Sequence, residues 1–388
     1  MKLIIDFVSL LINRGLDSVI VLMLVPAFIS SYGVENYGLF SLGLSIIAFL
    51  IILIRFGFET SILRSSSSGL PQVIEQVLTA KVTILFFTCP LFLAYCYFFW
   101  PDRSAAIIIS LYLIVLFEVF SLSHAFIVLK KAHILTLLGV VKFVLLLVLC
   151  AFLIDHLTVQ LFTLFYALSL AAVNVIQYLV LSKIVSFSFH YEWNTALSAI
   201  KSSKHYFGSK AASLLTDKLF LIVCGFLLTP ALFAKLDVAL KVFSFAIMGP
   251  MILTGILLSR ISNGVQKKRY IIYLLVPIFL SASIVLATYF FRVEISAFFK
   301  IELVEEISVV LFLVIVTVVS LVIGELILIH RGKAKSNSIS SQISLLLLLL
   351  VSLFIYFFNV ELNVVDLLWL LTGIKSFEVI LKAKYAAS

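Results

Sequence analysis

Long apolar runs alternate with short polar breaks from one end of the chain to the other. The runs lie near 6–30, 37–57, 77–99, 105–128, 135–154 and 160–182, then 207–229, 234–258, 270–291, 307–329, 343–359 and 366–382. A helix needs about 20 apolar residues to cross a bilayer core, so each run is a candidate span. Only helices or closed barrels satisfy the backbone in lipid, and runs this long are helices. The pattern predicts an all-α polytopic membrane protein of about twelve transmembrane helices. The first run has the hydropathy of a signal peptide, but Arg14 and Asp17 interrupt it and no small-x-small cleavage site follows. It is expected to be a retained helix.

Composition agrees: 63% of residues are hydrophobic, 12% are charged, and the mean hydropathy is +1.24. A net charge of +9 suggests nucleic acid until the charges are placed. With the N-terminus inside, alternate connections hold Lys2, Arg64, Lys81, Lys130, Lys131, Lys183, Lys201 and Lys204 on the cytoplasmic side. The same side takes Arg260, Lys267, Lys268, Arg269, Arg331, Lys333, Lys335, Lys382 and Lys384, against Arg103, Lys235, Arg292 and Lys300 outside. This is the positive-inside asymmetry, and it places both termini in the cytoplasm. The basic excess is therefore topology, with anionic lipid headgroups rather than nucleic acid as its partner. Cys89, Cys96, Cys150 and Cys224 all fall inside predicted helices without metal spacing, and read as small buried hydrophobes.

No connection is long enough for a soluble domain. The longest external one is RVEISAFFKIELVEE. The longest internal one, SKIVSFSFHYEWNTALSAIKSSKHY, mixes aromatic, basic and small polar residues and is expected in the membrane interface. It divides the chain into a six-helix bundle at 1–182, an interfacial linker at 183–206 and a second six-helix bundle at 207–388. The second and eighth segments each follow a charged helix and a polar turn and end at a basic boundary, Arg55 or Arg64 against Arg260. Weak repeats of this kind are expected where two bundles rock around a midplane site.

Charges inside the apolar runs are the chemistry-bearing feature. On insertion scales a charge at the bilayer centre costs roughly 2.5–3.5 kcal/mol, so it persists only beside a cavity or a partner. One charged helix carries Arg14-x-x-Asp17, and another, about half the chain away, carries Lys210 with Asp217-Lys218. Lys210 and Asp217 are seven residues apart and share a helix face, whereas Lys218 points about 100° away from Asp217. Two such helices, one per half, suit the walls of a transport path. They equally suit ion pairs that neutralise themselves, as the i, i+3 spacing of Arg14 and Asp17 allows. Asp237 with Lys241 and Lys375 with Glu378 are spaced to pair on their own helices. Arg55, Lys81 and His330 can extend to the surface. Glu118, Lys142 and Glu325 have no partner on their own helix and must face other helices, where a cavity or relay role is expected. Pro26, Pro90, Pro250 and Pro277 lie in segments and permit kinks. The chain has no Gly-rich phosphate loop, no metal-spaced histidine cluster and no serine nucleophile elbow. The G-x-x-x-D-R loop of major-facilitator transporters is also missing.

Two stretches look familiar. In SYGVENYGLFSLGLSIIAFLIILIRFGFETSILR, the turn Gly33, Glu35, Tyr37, Gly38 leads a helix that ends at Phe56, Gly57, Phe58, Ser61 and Arg64. In LTPALFAKLDVALKVFSFAIMGPMILTGILLSRIS, Asp237-Val238-Ala239 opens a helix that closes at Ser259-Arg260-Ile261-Ser262, where many relatives carry Pro-Arg-x-Ser. Both resemble bacterial polysaccharide-unit (Wzx-type, O-antigen) flippases of the multidrug/oligosaccharidyl-lipid/polysaccharide exporter superfamily. The resemblance implies two pseudo-symmetric six-helix bundles around a central cavity, and no covalent chemistry. It implies that an undecaprenyl-diphosphate-linked oligosaccharide passes across the bacterial inner membrane by alternating access, for lipopolysaccharide or related surface glycan. Membrane lipids, a polysaccharide polymerase and a chain-length regulator are the partners it implies. The lipid II flippases of the superfamily carry two more helices than are found here.

A diphosphate carries about two negative charges, and burying it requires cations already in place. Arg14, Lys210, Lys218, Lys241 and Lys142 are the candidates to meet it. Asp17, Asp217, Glu118 and Glu325 are candidates for proton or sodium coupling, or for balancing the cations when the cavity is empty. No cofactor is expected. A cation-coupled multidrug exporter of the same superfamily is the alternative, with a membrane polymerase or glycosyltransferase behind it. The enzymes should show a large external loop, and every external loop here is short.

Overall fold

A computed structural model describes residues 20, 22–65, 69–99, 104–129, 131–187, 189–262, 267–329, 331, 333–358, 360 and 362–387. Among them every regular element is a helix, and nine helices are long and apolar enough to cross a membrane. The all-α polytopic class expected from the sequence is the class observed. The described residues form two compact units. An N-terminal unit comprises Leu39–Lys218, and a C-terminal unit takes the residues up to Gly38 with those from Leu219 onward. The chain passes between units inside helices, and the 183–206 segment falls within the N-terminal unit.

Helix α1 (Leu22–Tyr32) and the first turn of α2 (Val34–Arg55) begin the described chain. Glu35 in the first turn of α2 and Arg55 in its last complement the helix dipole. A left-handed pair, Phe56 (φ 38°) and Gly57 (φ 75°), then turns the chain into the short α3 (Phe58–Arg64). Glycine adopts that conformation freely, whereas in a phenylalanine it costs about 1–2 kcal/mol. The Phe56 ring offsets this by stacking on Phe207, with centroids 4.3 Å apart.

The N-terminal unit continues through α4 (Leu70–Phe99), α5 (Ser104–Glu118), the short α6 (Ser123–Val128), α7 (Ala132–Val148) and α8 (Val159–Ile184). Helix α7 widens into a π turn over Leu149–Leu153. Helix α5 lies along α8, and Phe58, Leu70, Ile74, Leu78, Leu122, Phe126 and Leu181 form the buried centre of the basic-loop end. Helix α9 (Trp193–Leu227) begins well before the expected start of the seventh segment. The residues from Trp193 to Phe207 include no glycine or proline, so nothing stops the helix from running back through the expected linker. Its start is held to α4 by Tyr191 Oη at 3.3 Å from Thr83 Oγ1, and by Trp193 beside Phe87.

In the C-terminal unit, α10 (Pro230–Ser262) starts at a proline, whose missing N–H is harmless in a first turn. Then come α11 (Lys267–Phe290), α12 (Arg292–Phe299), α13 (Val304–Leu321), α14 (Ala334–Phe357) and α15 (Val364–Ala387). Helix α12 replaces the expected external loop. Lys300 in the left-handed region ends it, and Ser296 Oγ closes the turn by donating to the Ile301 carbonyl (2.7 Å) and accepting from Leu303 N (3.0 Å). Helix α13 packs on α10, α11 and α15 and continues as a π segment, Val322–Ile329. Ala246, Leu253, Leu257, Val314, Val318 and Leu326 fill the core between these helices. By contrast α11 leaves Ile271, Ile272, Leu275, Phe279 and Leu286 exposed, a surface suited to lipid tails.

Candidate functional site

Among the described residues, buried charge clusters at three places, with Glu306 on α13 buried apart from them. The first is in the N-terminal unit, where the fourth apolar run is interrupted. Helix α5 ends at Glu118 and α6 begins at Ser123, although the intervening residues include no proline or glycine. Side chains from other helices hold the break open. Lys81 Nζ, from α4, donates to the main-chain carbonyls of Glu118 (3.2 Å) and Ser121 (2.7 Å). Gln177 Oε1, from α8, accepts from Leu122 N at 2.9 Å. The break's orphaned backbone groups are thereby paired with side chains inside the protein. The buried Glu118 carboxylate accepts from Arg55 Nε at 2.8 Å. Arg55, whose side chain is 46% exposed, also reaches Glu59 at 3.4 Å. The second Glu59 oxygen lies 3.7 Å from His124 Nε2. These five ionisable residues, with Phe58, Ile62, Ser121 and Ser123, line an open pocket. By formal charge, Arg55 and Lys81 match the two carboxylates of Glu59 and Glu118, beside His124.

The second place is the basic-loop end of the C-terminal unit. Lys375, Glu378 and Lys382 on α15 are all buried. Glu378 Oε1 accepts from Lys382 Nζ (2.7 Å) and from Ser341 Oγ of α14 (2.9 Å), while Lys375 Nζ stands 3.9 Å from Oε2. Lys382 also donates to Ser320 Oγ of α13 at 2.9 Å. A Cβ on Gly324, in the π segment, would run into the Asn337 amide and crowd Lys382 Nζ. A side chain there would displace the ends of Asn337 and Lys382 and so disturb the cluster.

The third place joins the two familiar stretches. Tyr37 Oη, buried in the first turn of α2, donates to Asp237 Oδ2 at 2.5 Å. Lys241 Nζ donates to Tyr37 Oη at 2.7 Å, and also pairs with Asp237. Gly38 lets α2 approach α10 here, because a Cβ would collide with the Pro230 carbonyl.

The predicted residues distribute among these places and beyond them. Arg14 and Asp17 lie outside the described residues, as does the side chain of Lys210 on α9. Asp217 is exposed on α9 and Lys218 half-buried. Lys142 is half-buried on the α7 stripe that also buries Leu138, Leu146 and Leu149. Lys241 belongs to the α2–α10 cluster and Glu118 to the broken span. Glu325 is half-buried in the π segment, within electrostatic reach of Lys382. Arg55 and Lys81 were expected at the surface. Arg55 keeps partial exposure, but Lys81 is buried, because two carbonyls at the break accept hydrogen bonds from its ammonium. Nothing in the local spacing of Lys81 announces that role. Among the described residues no group of three His, Cys, Asp or Glu side chains is placed to hold a metal ion.

No family model and no curated protein matches the sequence. Solved structures do match it. An inward-facing multidrug-resistance MATE-family transporter of the MOP superfamily superposes with a TM-score of 0.65 at 14% identity, covering 99% of this chain and 97% of its own. An outward-facing form gives 0.63 at 13%, covering 100% and 95%. The lipid II flippase MurJ, in an inward closed conformation, gives 0.68 at 12%, covering 98% and 88%. The chain shares the fold of these proteins. That fold serves a drug transporter and a lipid flippase alike, and these likenesses span nearly the whole chain.

Proposed function

We propose that this protein is a flippase that moves a diphosphate-linked polyprenyl oligosaccharide, of the O-antigen or related surface-glycan kind, across the bacterial inner membrane. The observation that carries the reading is the bonding of Tyr37 to Asp237. The two stretches resembling polysaccharide-unit flippases lie 200 residues apart, and they meet through the side chains that mark them. Alternating access driven by a ligand's different affinity for two states needs no chemistry at the substrate. In this reading Arg14, Lys142, Lys210, Lys218 and Lys241 meet the diphosphate. Asp17, Asp217, Glu118 and Glu325 balance them or carry a proton or sodium ion. Both termini are cytoplasmic, and a polysaccharide polymerase and a chain-length regulator receive the product. The fold shared with MATE transporters favours one other reading, a cation-coupled drug exporter.

Deleting the gene in its native bacterium separates them. The flippase reading expects loss of surface glycan, with lipid-linked repeat units accumulating on the inner leaflet. Intact glycan with new drug sensitivity would replace it with the exporter. Exported but unpolymerised units would point to a polymerase.

A further inference from the structure

We propose that the break between α5 and α6 is a binding site for a small monovalent cation, which Lys81 fills with its own ammonium group. Three observations carry this. The ligands are of the right kind, since the ammonium is held by two main-chain carbonyls, of Glu118 and Ser121, at a helix C-terminus. Unwound carbonyls and half-helix C-terminal ends are what membrane proteins use to coordinate Na⁺. The charge is also right. Arg55, Lys81, Glu59 and Glu118 sum to zero with His124 neutral, so removing the Lys81 charge leaves a net negative, largely desolvated site. Space is present too, because Lys81, Glu118 and Ser121 line a small pocket that Arg55, Glu59 and His124 also border.

A buried lysine 4% exposed would ordinarily be a liability in a membrane span. Here the tethered ammonium does what a bound ion would do: it satisfies the carbonyls of the break and balances Glu118. The native site therefore takes no free Na⁺, and Glu118 serves there as a balancing charge rather than as a sodium carrier. A cation of similar size enters only when the ammonium is removed.

The test uses the full-length protein in detergent micelles and needs no transport substrate, so it stands or falls apart from the flippase reading. Thermal unfolding is followed in sodium chloride, methylammonium chloride or choline chloride at equal ionic strength. The native protein sets the baseline, which includes any sodium bound at other sites. Lys81→Ala should unfold earlier in choline. It should recover at least about 2 °C in sodium or methylammonium, because binding to the folded state alone raises stability. Adding Glu118→Gln to Lys81→Ala should abolish that recovery. If Lys81→Ala fails to accumulate, Lys81→Ser carries the same comparison, with its hydroxyl as an added ligand. Equal unfolding temperatures for the variant in all three salts would overturn the proposal. So would a sodium effect of the same size in the native protein.

Discussion

The charge cluster on α15 and the one at the broken fourth span both bury lysine and glutamate, but in opposite ways. On α15, Lys375, Glu378 and Lys382 sit at i, i+3 and i+7 of one helix, and serines from α13 and α14 complete the set. At the break, Arg55 and Glu118 are 63 residues apart, Lys81 serves carbonyls rather than a carboxylate, and a pocket opens onto the group. The first cluster is closed and reads as a structural lock. The second is open on one side, and its charges remain available to something entering. A buried ion pair is thus weak evidence of function by itself. Exposure of one partner and an irregular backbone are what set the two clusters apart.

The largest expected effect tests the lock. Glu378→Leu strands two buried lysines and should cost about 3–5 kcal/mol, read as a large drop in unfolding temperature in micelles. Replacing all three charges, as Lys375→Met, Glu378→Leu and Lys382→Met, should recover most of that loss, since apolar isosteres avoid the desolvation. If the triple variant is no better than the single one, the cluster is not a simple lock. Next comes Tyr37→Phe, which removes a donor from Asp237 and an acceptor from Lys241. It should cost about 1–3 kcal/mol by the same assay, whereas a change at an exposed tyrosine such as Tyr289 should be close to neutral.

The smallest expected effect lies at the break. Glu59→Gln weakens contacts to the half-exposed Arg55 and to His124, and a loss of about 1 kcal/mol or less is expected. A double-mutant cycle sharpens the contrast. Coupling between Glu378 and Lys382 should clearly exceed coupling between Arg55 and Glu118. Equal couplings would erase the distinction between closed and open clusters.

Much of this architecture was legible in the hydropathy pattern, because lipid forces each span to be apolar and helical. The pairing of Asp237 with Lys241 was legible as well, since i, i+4 neighbours meet on any helix. The break after Glu118 was not. Backbone breaks are read from glycine and proline, and here a lysine from α4 and a glutamine from α8 stabilise one that contains neither. The left-handed Phe56 escaped for the same reason, as its stacking partner Phe207 is distant in sequence. Helix α12 was hidden in a polar connection because its closing bonds run from one serine to the turn after it.

The most direct test of the central claim is transbilayer movement in proteoliposomes holding the purified protein. The probe would be a fluorescent polyprenyl-diphosphate oligosaccharide matched to the host's repeat unit, with its leaflet read by quenching from outside. A flippase gives protein-dependent exchange between leaflets that falls sharply when a neutral polyprenol-linked glycan replaces the diphosphate. Exchange no faster than in protein-free liposomes, alongside uptake of a cationic drug by the same vesicles, would contradict the flippase reading.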